Sequence, residues 1–302
     1  MALLHGLGQP RQPDLFTSFW LAAHWVWERR ETAKQSGLPF SEETITETLL
    51  LDLATQNPLE ILVQPFNKRQ EGKIGADWEW CFYSKGRNRF VRTLVQAKVL
   101  DDSDDEYAHI DRKIGNTTVA QIDQLLTTAR RRGIPALYAF YNHLKDSKRV
   151  PADACPCGFC LKCWGCSIAL ADVVRAALPD KSFDTLRHVS VPWLCLLCPA
   201  EAPLSANDGA PDRVAEALGR LEKTSRMSFP DFSSKDHVPL VDLVNSEAPE
   251  YFLQLEQLAR IDSPVERQMR VEKLAAQNPG VDGIVLVTDQ TESDLTPVPN
   301  PQ

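Results

Sequence analysis

The sequence predicts an α/β fold, and three observations lead there. Residues 14–56 place apolar side chains at helical spacing. Residues 60–100 break into three segments rich in Val, Ile, Trp, Phe and Leu. Residues 118–141 return to a helix followed by an apolar strand.

The first helix spans about 14–35. Leu15, Phe16, Phe19, Trp20, Ala23 and Trp27 recur on one side, and Asp14 is its expected N-cap. A second helix starts after the cap residue Ser41 and runs to about Gln56, with Ile45, Leu49, Leu50 and Leu53 inward. Extended segments follow at Glu60–Phe66, Ile74–Tyr83 and Arg89–Leu100, then an acidic loop at Asp101–Glu106. A helix from about Thr118 to Arg132 is stopped by Gly133, and Pro135–Tyr141 reads as a buried strand. The order over the first half is α-α-β-β-β-α-β.

The domain reading divides the chain into four parts. Residues 1–144 form an α/β core with an N-terminal helix. Residues 145–200 are a cysteine-rich insertion with an amphipathic segment at Ile168–Leu178. Residues 201–290 are helical (212–224, 247–260 and 264–277), with a final strand at Gly280–Thr288. Residues 291–302, rich in proline, form a tail.

The bulk numbers bound the function. The 302 residues carry a formal net charge of -8, which disfavours tight non-specific binding to nucleic acid. A local basic rim remains compatible with that total. Its candidates are Arg87, Arg89 and Arg92, then Arg130, Arg131 and Arg132, then Lys145, Lys148 and Arg149. The apolar stretch Phe16–Trp27 is interrupted by Thr17, Ser18 and His24 and is too short to span a bilayer. The expectation is a cytoplasmic protein without membrane attachment, acting alone, as a homodimer or with a protein partner.

The chemistry concentrates on two neighbouring strands. Asp77 and Glu79 share one face of the first, and Gln96 and Lys98 share one face of the second, because side chains alternate along a strand. Lys85-Gly86-Arg87-Asn88 lies midway and is expected to turn the chain, with Gly86 at its first central position. Counting outward from that turn pairs Asp77 with Gln96, so Asp77, Gln96 and Lys98 meet on one surface. A carboxylate and an amide oxygen suit a magnesium or manganese ion. An ammonium two residues on can orient a water and offset charge on a phosphorus centre.

An Asp on one hairpin strand followed by Gln-x-Lys on the next resembles the PD-(D/E)XK nuclease superfamily, in the Gln-x-Lys form of its Mrr-like restriction-endonuclease branch. The resemblance covers residues 41–142, whose element order matches that family's core. It implies a restriction-endonuclease-like mixed sheet flanked by helices and metal-dependent hydrolysis of DNA phosphodiester bonds, in a setting such as defence against foreign DNA. Asp77, Gln96, Lys98 and a helix glutamate would be catalytic. Glu43 and Glu47 are spaced to share a helix face, and Glu47 lies nearer the helix middle. Asp77, Gln96, Glu47 and Glu79 are the candidate magnesium ligands. Gln121 and Arg87 are candidate substrate contacts, with Tyr141 and Asn142 at the edge. The motif's proline before Asp77 is absent here, and Gln96 replaces its acidic residue. Two other readings stay open: a nuclease-like scaffold without turnover, and a nuclease directed at RNA.

Seven of the eight cysteines fall in two clusters: Cys155, Cys157, Cys160, Cys163 and Cys166, then Cys195 and Cys198. In a chain without an export signal this density reads as zinc ligation. The expected set is Cys160, Cys163, Cys195 and Cys198, with Cys157, Cys166 and His188 in reserve. Four thiolates leave no open position for water, which makes the zinc structural. Cys81 stands apart, as a small core residue.

Overall fold

In a computed structural model the chain folds around a seven-stranded mixed sheet flanked by helices. The structure describes residues 13–65, 75–114, 118–151, 160–198, 209–229, 240, 243–258, 261–277 and 283–289. Cys155, Cys157, the expected tail at 291–302 and most of the loop after Cys198 lie outside them.

The elements are α1 (Leu15–Gln35), α2 (Glu42–Gln56), β1 (Ile61–Pro65), β2 (Trp78–Ser84), β3 (Arg89–Val99), α3 (Gln121–Arg132) and β4 (Ala136–Tyr141). Then come β5 (Cys166–Leu170), α4 (Ala171–Ala177), α5 (Phe183–Leu186), β6 (Ser190–Pro192), α6 (Ala210–Ser228), α7 (Glu250–Leu258), α8 (Pro264–Gln277) and β7 (Gly283–Asp289). The caps act as expected. Asp14 Oδ1 accepts from the Thr17 backbone N–H at 2.7 Å, Ser41 Oγ accepts from that of Thr44 at 3.3 Å, and Gly133 closes α3 at φ 65°. Among the described residues no helix is long and apolar enough to cross a membrane.

The strand order is β1-β7-β2-β3-β4-β5-β6. The C-terminal strand β7 lies between β1 and β2, antiparallel to the first and parallel to the second. The three early strands therefore do not form a simple meander. The cysteine-rich segment contributes β5 and β6 to the same sheet, both in antiparallel pairs. The expected amphipathic segment Ile168–Leu178 is divided: its start completes β5 and the remainder forms α4.

The β2–β3 hairpin sets the geometry of the centre. Ser84 pairs with Arg89 and Trp78 with Val95. The turn differs from expectation in detail. Lys85–Arg87 form a short 3-10 turn, and the left-handed residue is Asn88 (φ 49°), not Gly86. Asparagine tolerates this conformation because its short polar side chain bonds locally. The strand pairing stops one pair earlier, at Ser84 and Arg89, but the midpoint of the loop is unchanged, so the register predicted from it holds.

Alternation then divides the two faces. Trp78, Trp80 and Phe82 share one, where Trp80 lies 6.1 Å from Phe19 of α1 and 5.9 Å from Trp193, ring centre to ring centre. These rings are buried, and they account for much of the hydrophobic stabilisation at the centre of the sheet. Asp77, Glu79 and Cys81 point to the other face. There Arg132 at the end of α3 and Tyr251 of α7 reach Glu79.

Candidate functional site

Asp77 stands just before β2, and its backbone N–H extends the ladder by bonding the Val95 carbonyl at 2.8 Å. Gly75, two residues earlier, adopts φ 74°, and a Cβ there would lie 2.5 Å from the Gln121 carbonyl oxygen and 2.9 Å from the Leu125 nitrogen. Glycine therefore lets α3 press directly onto the strand that carries Asp77.

The expected trio meets. Gln96 Nε2 donates to Asp77 Oδ2 at 2.7 Å, and the backbone N–H of Ala97 donates to the same oxygen at 2.7 Å. Gln121, the first residue of α3, donates from Nε2 to Gln96 Oε1 at 2.7 Å. Lys98 Nζ donates to the Ala97 carbonyl at 2.8 Å and to Glu42 Oε1 at 3.3 Å. Gln96 and Lys98 are almost fully buried, at 1% and 3% exposure. The result is a chain of side chains, Glu42–Lys98 beside Asp77–Gln96–Gln121, on a half-buried surface.

The electrostatics follow from this burial. Burial raises the Asp77 carboxyl above its ordinary range, against the opposing pull of Lys98 and of the Ala97 and Gln96 hydrogen bonds. Burial also lifts Glu42 to about 7; Lys98 opposes the rise, while the Asp77 charge adds to it. Tyr138 of β4, paired with Gln96 in register, has its phenol raised mainly by burial and further by Asp77 and Glu42. Its Oη and the Gln121 Oε1 are buried without a hydrogen-bond partner among the described residues. Two idle polar atoms beside two carboxylates are unspent bonding capacity at this point of the fold.

The other expected residues divide. The acid that reaches Lys98 is Glu42, not Glu43 or Glu47, both of which are exposed. Glu43 contributes a charge that helps raise Asp77. Glu42 lies on the same helical stripe as the buried Ile45, Leu49 and Leu53, so the signal was present in the sequence. Glu79 shares the Asp77 face but is fully buried in a different cluster. Arg92 Nε donates to its Oε1 at 2.7 Å, Arg132 Nη1 to its Oε2 at 2.9 Å, and Tyr251 Oη to its Oε1 at 2.8 Å. Both carboxylate oxygens of Glu79 are thus engaged by cations. Arg87 sits at the far end of the hairpin, roughly 23 Å along the strand from Asp77 at about 3.3 Å per residue. Tyr141 bonds Thr46 at 2.9 Å, and Asn142 is occupied by Tyr107, Trp164 and Ser167.

A second group of ligating atoms lies at α1. His24 Nε2 is 2.9 Å from Cys160 Sγ and 3.9 Å from Cys163 Sγ, and the three ligand atoms all lie within 4.8 Å of one another. This group can hold a metal ion. Burial lowers the His24 pKa, and Lys162 lowers it further, which favours the neutral ring that ligates. The expected partners are placed differently. Cys195 is buried and lies outside the three-residue group, and Cys198 is disulfide-bonded. Cys166 is free and buried on β5. His188 is exposed near the end of α6, where its carbonyl accepts from Ser228. Cys157 lies outside the described residues. His24 was visible in the sequence only as a polar interruption in an aromatic helix.

Fold and site together define a mixed α/β protein with an acid–amide–lysine cluster on its central hairpin. The chain belongs to DUF6615, a family of unknown function, whose model matches residues 15–294. No curated protein matches the chain.

Proposed function

We propose that this protein is a metal-dependent nuclease of the PD-(D/E)XK type that hydrolyses phosphodiester bonds in DNA. The observation that carries the reading is the meeting of Asp77, Gln96 and Lys98 on one surface, with Glu42 supplied by the preceding helix. The residue types fit a magnesium or manganese ion: hard oxygens from Asp77 and Glu42, and an amide oxygen from Gln96. The unpartnered Tyr138 Oη supports the same fit, since it is a polar atom buried within the field of Asp77 and Glu42.

Such an ion, when bound, would polarise a phosphoryl oxygen and make a water more acidic. The protein's own residues do the remainder. Asp77, beside the hairpin, and Glu42, at the start of α2, would offer their carboxylates to the ion. Lys98 supplies a nearly buried positive charge beside them, suited to orienting a water and stabilising charge on the phosphorus oxygens. Gln121 fixes Gln96. In the present arrangement the Gln96 NH2 faces Asp77 and its oxygen faces Gln121. Rotating both amides together turns the Gln96 oxygen toward Asp77 and keeps the bond to Gln121 with its polarity reversed, at the cost of the Gln96 bond to the Ala97 carbonyl at 3.1 Å. Amide oxygen and nitrogen are interchangeable in shape, so this exchange needs no movement of the backbone.

The same amide orientation favours a second reading, a scaffold with a nuclease-type fold and no turnover. Incubation of purified protein with plasmid, single-stranded DNA and RNA, with and without manganese, separates them. The nuclease reading expects metal-dependent cleavage that falls by about 100-fold or more in Asp77→Ala and Lys98→Ala. Absence of cleavage, together with no manganese binding by calorimetry, leaves the scaffold. Cleavage of RNA alone redirects the substrate without changing the site.

A further inference from the structure

We propose that His24, Cys160 and Cys163 bind a zinc ion that fastens helix α1 to the cysteine-rich segment. This site is separate from the Asp77 surface and independent of the nuclease reading.

A nitrogen about 2.0 Å and a sulfur about 2.3 Å from a tetrahedral zinc lie about 3.5 Å apart. The observed separations of 2.9 and 3.9 Å from His24 Nε2 bracket that value. One imidazole and two thiolates are soft to borderline ligands, which select zinc over magnesium or calcium. With two thiolates a zinc ion brings the group to neutrality, which suits a half-buried position.

The surrounding structure holds the three ligands together. Cys160 and Cys163 flank a 3-10 turn at Leu161–Gly165, in which the Cys163 N–H bonds the Cys160 carbonyl at 3.1 Å. That turn lies directly on α1. A Cβ at Gly165 would fall 2.0 Å from the Ala23 carbonyl oxygen and 2.8 Å from the Trp27 nitrogen, so glycine alone permits the approach. The contact residues Ala23 and Trp27 flank His24 on the helix. Trp20, one turn earlier, packs against the imidazole at 4.0 Å between ring centres, with the two planes tilted by 39°, and restricts its orientation. Lys162 and Glu28 join the same two elements through an ion pair at 2.6 Å. The zinc would thus tie residues 136 positions apart, at a place where the backbones already touch.

The test measures metal, not cleavage. Zinc content is determined by elemental analysis after exhaustive dialysis, and the cobalt-substituted protein is examined by absorption spectroscopy. Wild type is expected to retain zinc and to show the intense visible bands of tetrahedral cobalt with thiolate charge transfer. His24→Ala and Cys163→Ser should each lose one zinc equivalent, or bind it more than about tenfold more weakly. His24→Cys replaces one ligand by another, so it should keep the zinc and gain thiolate charge-transfer absorption. That variant keeps the question answerable if the alanine variant fails to fold. Asp77→Ala should leave the zinc untouched. Zinc content indifferent to His24→Ala in a folded protein, or a His24→Cys spectrum identical to wild type, would overturn the proposal.

Discussion

Gln96 donates its amide hydrogen to Asp77 across the β2–β3 hairpin at 2.7 Å, while its oxygen accepts from Gln121 at 2.7 Å. A carboxylate at position 96 would lose the first of these bonds and face Asp77 as a like charge. A proton held by one of the two, or a metal cation between them, would relieve the repulsion. Gln96→Glu is therefore expected to lower thermal stability in metal-free buffer. Added manganese should raise its melting temperature by more than it raises that of wild type. Equal manganese shifts in the two proteins would place metal binding away from this pair.

The Glu42 carboxyl reaches about 7 in the folded chain because burial outweighs the Lys98 charge. Its folded pKa is thus above the ordinary unfolded value of 4.5. The native state holds a proton that the unfolded state releases. The associated stability is complete below the unfolded pKa and disappears as pH rises through about 7. Glutamine imitates the protonated form at every pH. Glu42→Gln should therefore gain on wild type between about pH 5 and about pH 8, by on the order of 1–3 kcal/mol. Urea unfolding at the two pH values measures it, and a difference that does not change with pH contradicts the assignment.

How far the site could be read from sequence depended on the range of the interactions. The meeting of Asp77, Gln96 and Lys98 needed only strand alternation and the midpoint of one short turn. The register is the same for either turn type, because the loop keeps its midpoint between Gly86 and Arg87. Glu42 was within reach too. It stands three, seven and eleven residues before Ile45, Leu49 and Leu53, on the stripe those residues bury, whereas the Glu43 and Glu47 pair lies beside that stripe. Other features had no local signal. The arrangement of β7 between β1 and β2 joins segments some two hundred residues apart. Arg132 and Tyr251 reach Glu79 through tertiary packing alone, and so does His24 to Cys160.

Gly75 offers a test of how the hairpin is held. Its left-handed backbone alone would cost an alanine about 1–2 kcal/mol. The new Cβ would also meet the backbone of Gln121 and Leu125, which cannot rotate aside. Gly75→Ala should lower the melting temperature, by roughly 2–4 °C for each kcal/mol lost. It should also weaken metal binding, since α3 carries Gln121 and the displaced strand carries Asp77. Gly133→Ala also has a positive φ but meets nothing within 4 Å, so it should lower stability while leaving metal affinity unchanged. Equal loss of metal affinity in both variants would separate the site from the packing of α3.

Glu79 sets a structural carboxylate against the proposed catalytic one, Asp77, on the same face of the sheet. It is fully buried, and the guanidinium groups of Arg92 and Arg132 lie 2.7 and 2.9 Å from its oxygens at 18% and 16% exposure. Removing the carboxylate leaves two largely buried cations facing each other, a change that typically costs about 3–5 kcal/mol. Glu79→Ala is therefore expected to be the most destabilising substitution of an acidic residue considered, with a large drop in urea midpoint. Glu79→Gln keeps the shape and an acceptor oxygen but loses the charge, and should fall between it and wild type. Because both Glu79 oxygens already serve the arginines, neither variant is expected to alter the proposed metal site. Folded Glu79→Gln should bind manganese with wild-type affinity in calorimetry. A marked loss of affinity there, without loss of fold, would return Glu79 to the metal site and show that the arginines release it when an ion binds.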